Sequence, residues 1–230
     1  MIAIVHNHAD WLVVNKPAGI SMQQEQSQPD ALSLLQLALQ AAQQNDSTIH
    51  RLWPVHRLDK ATSGLVIFAK TAAAAAQFSE LFANQHITKH YIALAQGKPK
   101  KKQGWVKGDM EKGRNGSWLL TRKLSSPAVT YFNSCAIESH PTSAYRFYLV
   151  SPKTGKTHQI RVALKSLSCP ILGDDRYKGA ASDRCYLHAF YLQFSWQEQV
   201  YSVQCLPHQG NWPELKALPL LADFFKLTSA

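Results

Sequence analysis

Five segments in the second half of the chain combine strand-like length with many β-branched and aromatic residues. They are ITKHYIALA (87–95), PAVTYFNSCAI (127–137), SAYRFYLVS (143–151), RCYLHAFYLQF (184–194) and VYSVQCL (200–206). Such residues fit the pleated, half-buried surface of a sheet. Two shorter apolar runs, 2–5 and 11–14, predict two further strands around a turn. Any fold for this chain must therefore be built around a β-sheet.

In the first half of the chain, segments whose apolar residues have helical spacing lie between the predicted strands. Leucine and alanine recur three or four residues apart within 30–44, and Asp30 is the expected N-cap. A strand over 64–70 leads into TAAAAAQFSELFANQ (71–85), a helix that Thr71 can cap.

Two more helices are predicted near the C-terminus. One covers 157–167 with Thr157 as its cap, and the last opens at Pro213 and is interrupted or kinked by Pro219. The fold class is α+β, with a mostly antiparallel, mixed central sheet flanked by helices and loops. At 230 residues, the expected organisation is one domain over 1–230.

The net charge of +10 indicates a polyanionic partner. Nine cations and two tryptophans, Trp105 and Trp118, lie within 98–123, against two acidic residues. A basic hairpin inserted at about 98–123 would grip phosphates and stack on unpaired bases. The alternative is a lysine-rich loop that is merely solvated.

Bulk features argue against several other classes. The four cysteines form no CxxC pair or zinc-finger cluster, so we expect reduced thiols and no metal site. No apolar run of about 18 residues and no signal-peptide pattern occurs, which favours a cytoplasmic protein with no membrane partner.

The stretch HRLDKATSGL (56–65) holds the most chemistry. It places a carboxylate, Asp59, among cations and hydroxyls on a loop that precedes a strand. From the residues alone, Asp59 could equally pair with Arg57 or Lys60, or accept backbone N–H groups in a turn.

This stretch matches the HRLDxxTSGL motif of the RluA family of pseudouridine synthases, and five further blocks resemble that family in the expected order: VVNKPAGI (13–20), KHYIALAQG (89–97), KTGKTHQIRVAL (153–164), PILGDDRY (170–177) and YLHAFYLQF (186–194). The resemblance implies the pseudouridine synthase catalytic fold, in a compact form without an S4 domain. It implies an isomerase that converts uridine to pseudouridine in ribosomal RNA, transfer RNA or both, without cofactor or metal. We expect a monomer.

The resemblance also assigns roles to residues. Asp59 is the catalytic carboxylate, Tyr91 stacks on the uracil, and Arg161 pairs with Asp59. Arg57 helps to hold RNA with the target base flipped out. Beside it, His56 is predicted to brace the loop or touch phosphate, and the alternative is a packed, hydrogen-bonded histidine. Without the resemblance, Tyr91 would be interpreted as a tyrosine of the sheet core.

Other residues in these blocks are left outside the predicted site. Lys16 either supports the catalytic loop or contacts RNA, or it is a solvent-exposed turn lysine. Asp174 and Asp175 are expected to form a turn and structural ion pairs. His158 is expected to be a packed, hydrogen-bonded histidine.

Three rival functions remain open. A non-catalytic RNA-binding domain would not require Asp59, Tyr91 and Arg161 together. An RNA glycosidase that releases uracil would need a second carboxylate to activate water, and no motif supplies an obvious one. A metal-dependent nuclease would need a dense acidic cluster, which the sequence lacks.

Overall fold

A computed structural model describes residues 2–137 and 145–228. Within it the chain forms two compact units, unit 1 (Met1–Lys89 and His188–Pro207) and unit 2 (His90–Leu187 and His208–Ala230). In chain order, the α-helices and strands of the described residues are β1 (Ala3–Asn7), β2 (Trp11–Lys16), α1 (Leu34–Asn45), β3 (Trp53–Pro54), β4 (Ser63–Ala69), α2 (Ala72–Ala83), β5 (Thr88–Gln96), β6 (Gln103–Gly108), β7 (Met110–Lys112), β8 (Trp118–Leu120), β9 (Ala128–Ala136), β10 (Tyr145–Pro152), α3 (Gln159–Ser166), β11 (Leu187–Trp196), β12 (Gln199–Gln204) and α4 (Pro219–Thr228).

In unit 1 the strands lie in the order β1-β2-β4-β11-β12, and the short β3 pairs with β4. β11 runs parallel to β4, with His188 opposite Ser63, whereas the other pairs are antiparallel. Helix α2 inserts Phe78 into the core, where its ring stacks on Trp196 with centroids 4.7 Å apart. The HRLD stretch thus leads into a strand whose seven residues are all buried.

In unit 2 the order is β5-β10-β9-β6, with antiparallel pairing throughout, and β7 and β8 form a separate two-stranded hairpin. Burial alternates along β9, so one face of the sheet is closed there and the other is partly open, whereas β5 and β10 are buried on both faces near their middles. Helix α3 is attached to β9 by Gln159, whose amide nitrogen donates to the Val129 carbonyl and the Thr130 hydroxyl.

The predicted α+β class with a mostly antiparallel mixed sheet is confirmed. All five long strand predictions correspond to strands, although 143–144, at the start of one, lie outside the described residues. Thr71 caps α2 as predicted, since its hydroxyl accepts from the Ala74 N–H at 3.1 Å.

Three helix starts differ from the prediction. α1 begins after Ser33, which forms a capping box with Gln36, so the prediction of Asp30 as N-cap was wrong. α3 begins after His158, not at Thr157, because His158 adopts the left-handed conformation (φ 59°). Pro219 starts α4 instead of interrupting it, as suits a residue without an N–H to satisfy.

All four cysteines are free thiols in this structure. No helix in residues 2–137 and 145–228 is both long and apolar enough to cross a membrane.

Candidate active site and RNA interface

The HRLD loop joins β3 to β4 in unit 1. Leu58 is buried beneath it, whereas Arg57 is exposed and Asp59 is partly exposed. The Asp59 carbonyl accepts from the Thr62 N–H at 3.0 Å and closes a turn. Leu58 therefore anchors the loop in the apolar core, while Arg57 and Asp59 lie at the protein surface.

Lys16 holds this loop from below. Its side chain is fully buried (0% exposed) at the end of β2. The ammonium donates to the carbonyls of Thr62 at 2.7 Å, of Lys60 at 3.1 Å and of the adjacent Pro17 at 3.0 Å. Hydrogen bonds from a charged donor are stronger than neutral ones. Of the alternatives for Lys16, support of the loop is correct and an exposed turn lysine is wrong.

His56 supports the same loop through β4. Its Nε2 accepts from the Ile67 N–H at 2.9 Å, and its ring lies 4.9 Å from that of Phe82. Burial, with a smaller contribution from the nearby Lys89 charge, lowers the pKa of His56 to about 3. The ring is therefore neutral at physiological pH and carries no charge for a phosphate. Its predicted contact with RNA stays a prediction.

The last residues of the motif fix the junction between β4 and β11. The Ser63 hydroxyl lies 2.8 Å from His188 Nδ1, and His188 Nε2 lies 2.8 Å from the Cys205 carbonyl. Because a carbonyl only accepts, Nε2 carries the proton and Nδ1 accepts from Ser63. Gly64 has φ +118°, and a Cβ there would clash with the Ala189 carbonyl oxygen. These constraints account for the serine and glycine of the motif.

Tyr91 lies on β5 in unit 2 and is partly buried. It pairs with Val150, which in turn pairs with Phe132, and both of these side chains are buried. Its neighbour His90 points to the opposite face, where its Nδ1 lies 2.7 Å from the Ser151 hydroxyl. Tyr91 therefore belongs to the closed face of the sheet but keeps part of its surface accessible.

Arg161 is buried (6% exposed) on α3 and forms a two-pronged ion pair with Asp174. Its Nε and Nη2 each donate to a different carboxylate oxygen at 2.7 Å. This geometry fixes the plane of the guanidinium. The predicted structural pairing of Asp174 is confirmed, although its partner was not foreseen. Asp175 opens a short 3₁₀ turn, as expected for a turn residue.

Tyr177 connects Arg161 to the basic hairpin. Its ring lies 5.0 Å from the Arg161 guanidinium carbon. Its hydroxyl accepts from the Trp118 N–H at 3.0 Å and is hydrogen-bonded to His158 Nδ1 at 2.8 Å. His158 is thus hydrogen-bonded as predicted. Tyr177 was missed, and only its place in the PILGDDRY block pointed to it.

The predicted site residues are divided between the units: Arg57, His56 and Asp59 belong to unit 1, and Tyr91 and Arg161 to unit 2. The predicted pairing of Asp59 with Arg161 stays a prediction. Within the described part of the chain, no group of three or more His, Cys, Asp or Glu side chains could hold a metal ion.

Comparison with known proteins decides the family. Residues 10–166, which run from unit 1 into unit 2, match the RNA pseudouridylate synthase family. The chain belongs to that family. Its members isomerise uridine to pseudouridine in RNA, so this chain is an RNA-modifying isomerase, as the HRLD motif predicted.

Relatives agree with this assignment. The chain is 45% identical to an RNA pseudouridine synthase of Haemophilus influenzae, over 92% of this chain and 90% of the relative. It is 31% identical to ribosomal large subunit pseudouridine synthase C of Rickettsia bellii, over 76% of this chain and 56% of that protein. Identity to tRNA pseudouridine synthase C of Haemophilus ducreyi is 29%, over 84% of each.

Among solved structures, human RNA pseudouridylate synthase domain containing 4 is similar, with a TM-score of 0.73 and 26% identity. The similarity covers 90% of this chain and 89% of the human chain. The predicted catalytic fold is therefore confirmed.

Proposed function

We propose that this chain isomerises specific uridines in ribosomal or transfer RNA, with Asp59 as its catalytic carboxylate. The observation that carries the proposal is the construction of the HRLD loop. Lys16 and His56 hold its backbone rigidly in unit 1, while Asp59 stays partly exposed. Relatives named for large-subunit ribosomal RNA and for transfer RNA support both substrate classes.

The reaction breaks the N1–C1′ bond, rotates the uracil and joins C5 to C1′. The proton lost from C5 is balanced by one gained at N1, so no redox cofactor or external energy is needed. An ionised Asp59 beside the ribose can stabilise positive character at C1′, attack C1′ or remove the 2′ proton. All three routes require a carboxylate of fixed direction.

Arg161 and Tyr91 are proposed to complete the site. Arg161 would pair with Asp59 and fix the direction of its carboxylate, and the ion pair of Arg161 with Asp174 already fixes the guanidinium plane. Tyr91 would stack on the detached uracil, and its phenol could assist proton loss from C5. The accessible part of its surface supports this role.

Arg57 is proposed to hold RNA with the target nucleotide extruded. Reaching C1′ in a stacked base requires extrusion, which costs a few kcal/mol. Arg57 is exposed beside Asp59, so its guanidinium can occupy the vacated space or contact phosphate. His56 would contribute indirectly, through the backbone of β4.

We also propose that 1–230 acts as one catalytic domain, with the basic hairpin at about 98–123 as an insertion, and that it works as a cytoplasmic monomer. The family match that extends across both units supports the single domain. Sedimentation equilibrium of the purified chain should give the mass of one copy, 25.7 kDa.

The test uses ribosomal and transfer RNA transcripts incubated with wild-type protein, Asp59→Asn or the exposed control Asp223→Asn. Carbodiimide mapping should locate pseudouridine after treatment with wild type and Asp223→Asn, and none after Asp59→Asn. Equal modification by Asp59→Asn would contradict the proposal. Release of free uracil would instead favour a glycosidase, and loss of activity in EDTA a metal-dependent enzyme.

A further inference from the structure

One face of the unit 2 sheet carries an aromatic pair that the proposed chemistry does not use. Trp105 on β6 pairs with Tyr131 on β9, and their ring centroids are 4.9 Å apart. Tyr131 in turn lies opposite Ser151 on β10. We name this surface the Trp105 face, formed by Trp105, Lys107, Tyr131, Ser151 and Lys153.

The Trp105 face is distinct from the face that holds Tyr91. Alternation along the strands places Tyr91, Val150 and Phe132 on the closed face, and Tyr131 and Ser151 on the open one. A group bound at Trp105 therefore cannot be the uracil that stacks on Tyr91.

The open face is covered where β5 and β10 lie, since Ile92 and Phe147 on it are fully buried. There His90, which contacts Ser151, meets Phe224 of α4 with ring centroids 4.9 Å apart. At the other end, Trp105 keeps 52% of its surface exposed even with Tyr131 beside it and the Lys107 ammonium 5.4 Å from its ring. A large indole exposed to this extent is a ready stacking surface.

Charge around this indole favours a polyanion. Lys107 precedes the end of β6. The exposed Lys153 directly follows β10, and its N–H donates to the carbonyl of Val129, the residue that pairs with Lys107. Three consecutive exposed lysines, 100–102, enter β6 from its other end. Cations that flank an exposed aromatic on a sheet are the arrangement by which proteins bind single-stranded RNA.

We propose that the Trp105 face binds an unpaired nucleotide of the RNA substrate, away from the target uridine. One base stacks on Trp105 beside Tyr131, and Lys107 and Lys153 contact the flanking phosphates. The inference rests on the proposed RNA substrate and extends it to a second contact that increases affinity without taking part in the chemistry.

Anisotropy of a fluorescein-labelled 12-nucleotide oligouridylate measures this contact directly. Trp105→Ala should weaken binding about 5- to 160-fold, the loss expected for one stacked base. Trp105→Phe should restore most of the affinity. The matched control is Val200→Ala, which shortens another exposed side chain on a strand, and it should bind as wild type does.

Salt dependence separates stacking from charge. Lys107→Ala should reduce the slope of log K against log salt by about 0.7, whereas Trp105→Ala should leave it unchanged. Lys226→Ala, at an exposed position on α4, is the control. In wild-type protein, irradiation with a 5-bromouridine oligomer should crosslink the peptide that contains Trp105 or Tyr131, which requires no variant to fold.

Unchanged oligouridylate binding by Trp105→Ala, or crosslinks only elsewhere, would overturn the proposal. So would self-association that Trp105→Ala abolishes while RNA binding persists, because the face would then be a protein interface. If the Trp105 face does not bind RNA, wild-type protein should still form pseudouridine and Asp59→Asn should still form none. Conversely, a wild-type protein that makes no product but binds through Trp105 would sink only the proposed function.

Discussion

Replacing Lys16 with methionine tests whether the HRLD loop depends on one buried cation. The side-chain length is nearly kept, but three carbonyls lose their donor. A hydrogen bond to a charged group contributes about 1.5–3 kcal/mol, and part of the sum is offset because a buried charge no longer needs desolvation. We expect a net loss of about 2–4 kcal/mol in the free energy of unfolding.

For a chain of this size, that loss corresponds to a fall in Tm of about 5–15 °C. Urea unfolding and calorimetry measure it, with the exposed Lys226→Met as the control. Below the transition, amide exchange should quicken locally at Thr62, whose N–H bonds to the Asp59 carbonyl, and at Gly19, whose N–H bonds to the Lys60 carbonyl.

Pseudouridine formation should fall by more than RNA affinity, because the loop that carries Asp59 loses its fixed position. Stability, local exchange and turnover that all match the Lys226→Met control would refute the reasoning. Loss of stability with full turnover at low temperature would show that Lys16 supports the fold but does not position Asp59.

Three further outcomes are expected. Gly64→Ala should destabilise the protein by at least about 2 kcal/mol in urea unfolding, because its Cβ would clash with the Ala189 carbonyl; wild-type stability would contradict the close approach of β4 to β11. The folded-state pKa of His56, about 3, lies below its ordinary value of 6.5, so the stability that neutral His56 contributes should be complete above pH 6.5 and be lost as pH falls towards 3. Unfolding measured against pH should show a flatter profile for His56→Gln, and an unchanged profile would show that other groups cause the acid loss. Tyr177→Phe leaves the Trp118 N–H without its phenol acceptor, so the free energy of unfolding should drop by about 1–3 kcal/mol and the KM for RNA should rise. An unchanged KM would show that Tyr177 does not position the hairpin for RNA binding.

Local signals in the sequence predicted what depends on neighbouring residues. Thr71 before an alanine-rich helix was sufficient to place α2, because capping is decided within one turn. The N-cap of α1 was predicted wrongly because Asp30 and Ser33 are both good capping residues, and the reciprocal hydrogen bond of Gln36 favours Ser33. The prediction that Thr157 caps α3 was wrong because His158 adopts the left-handed conformation, where tertiary contacts such as its bond to Tyr177 hold it.

Residues of the candidate site were found by motif resemblance, but their environments were not. Nothing in VVNKPAGI shows that Lys16 is buried, because its three acceptors include two carbonyls more than 40 positions away. Likewise, the Asp174 partner of Arg161 lies beyond the end of α3, in a turn whose path depends on packing. A local sequence pattern therefore cannot predict the environment of a charged side chain whose partners are distant in sequence.

The bond between Ser63 and His188 spans 125 positions. During synthesis, β1, β2 and β4 therefore leave the ribosome without β11, and the sheet of unit 1 stays incomplete until β11 has been translated. A polypeptide that ends before β11 would carry the motif but not the strand and histidine that complete its framework.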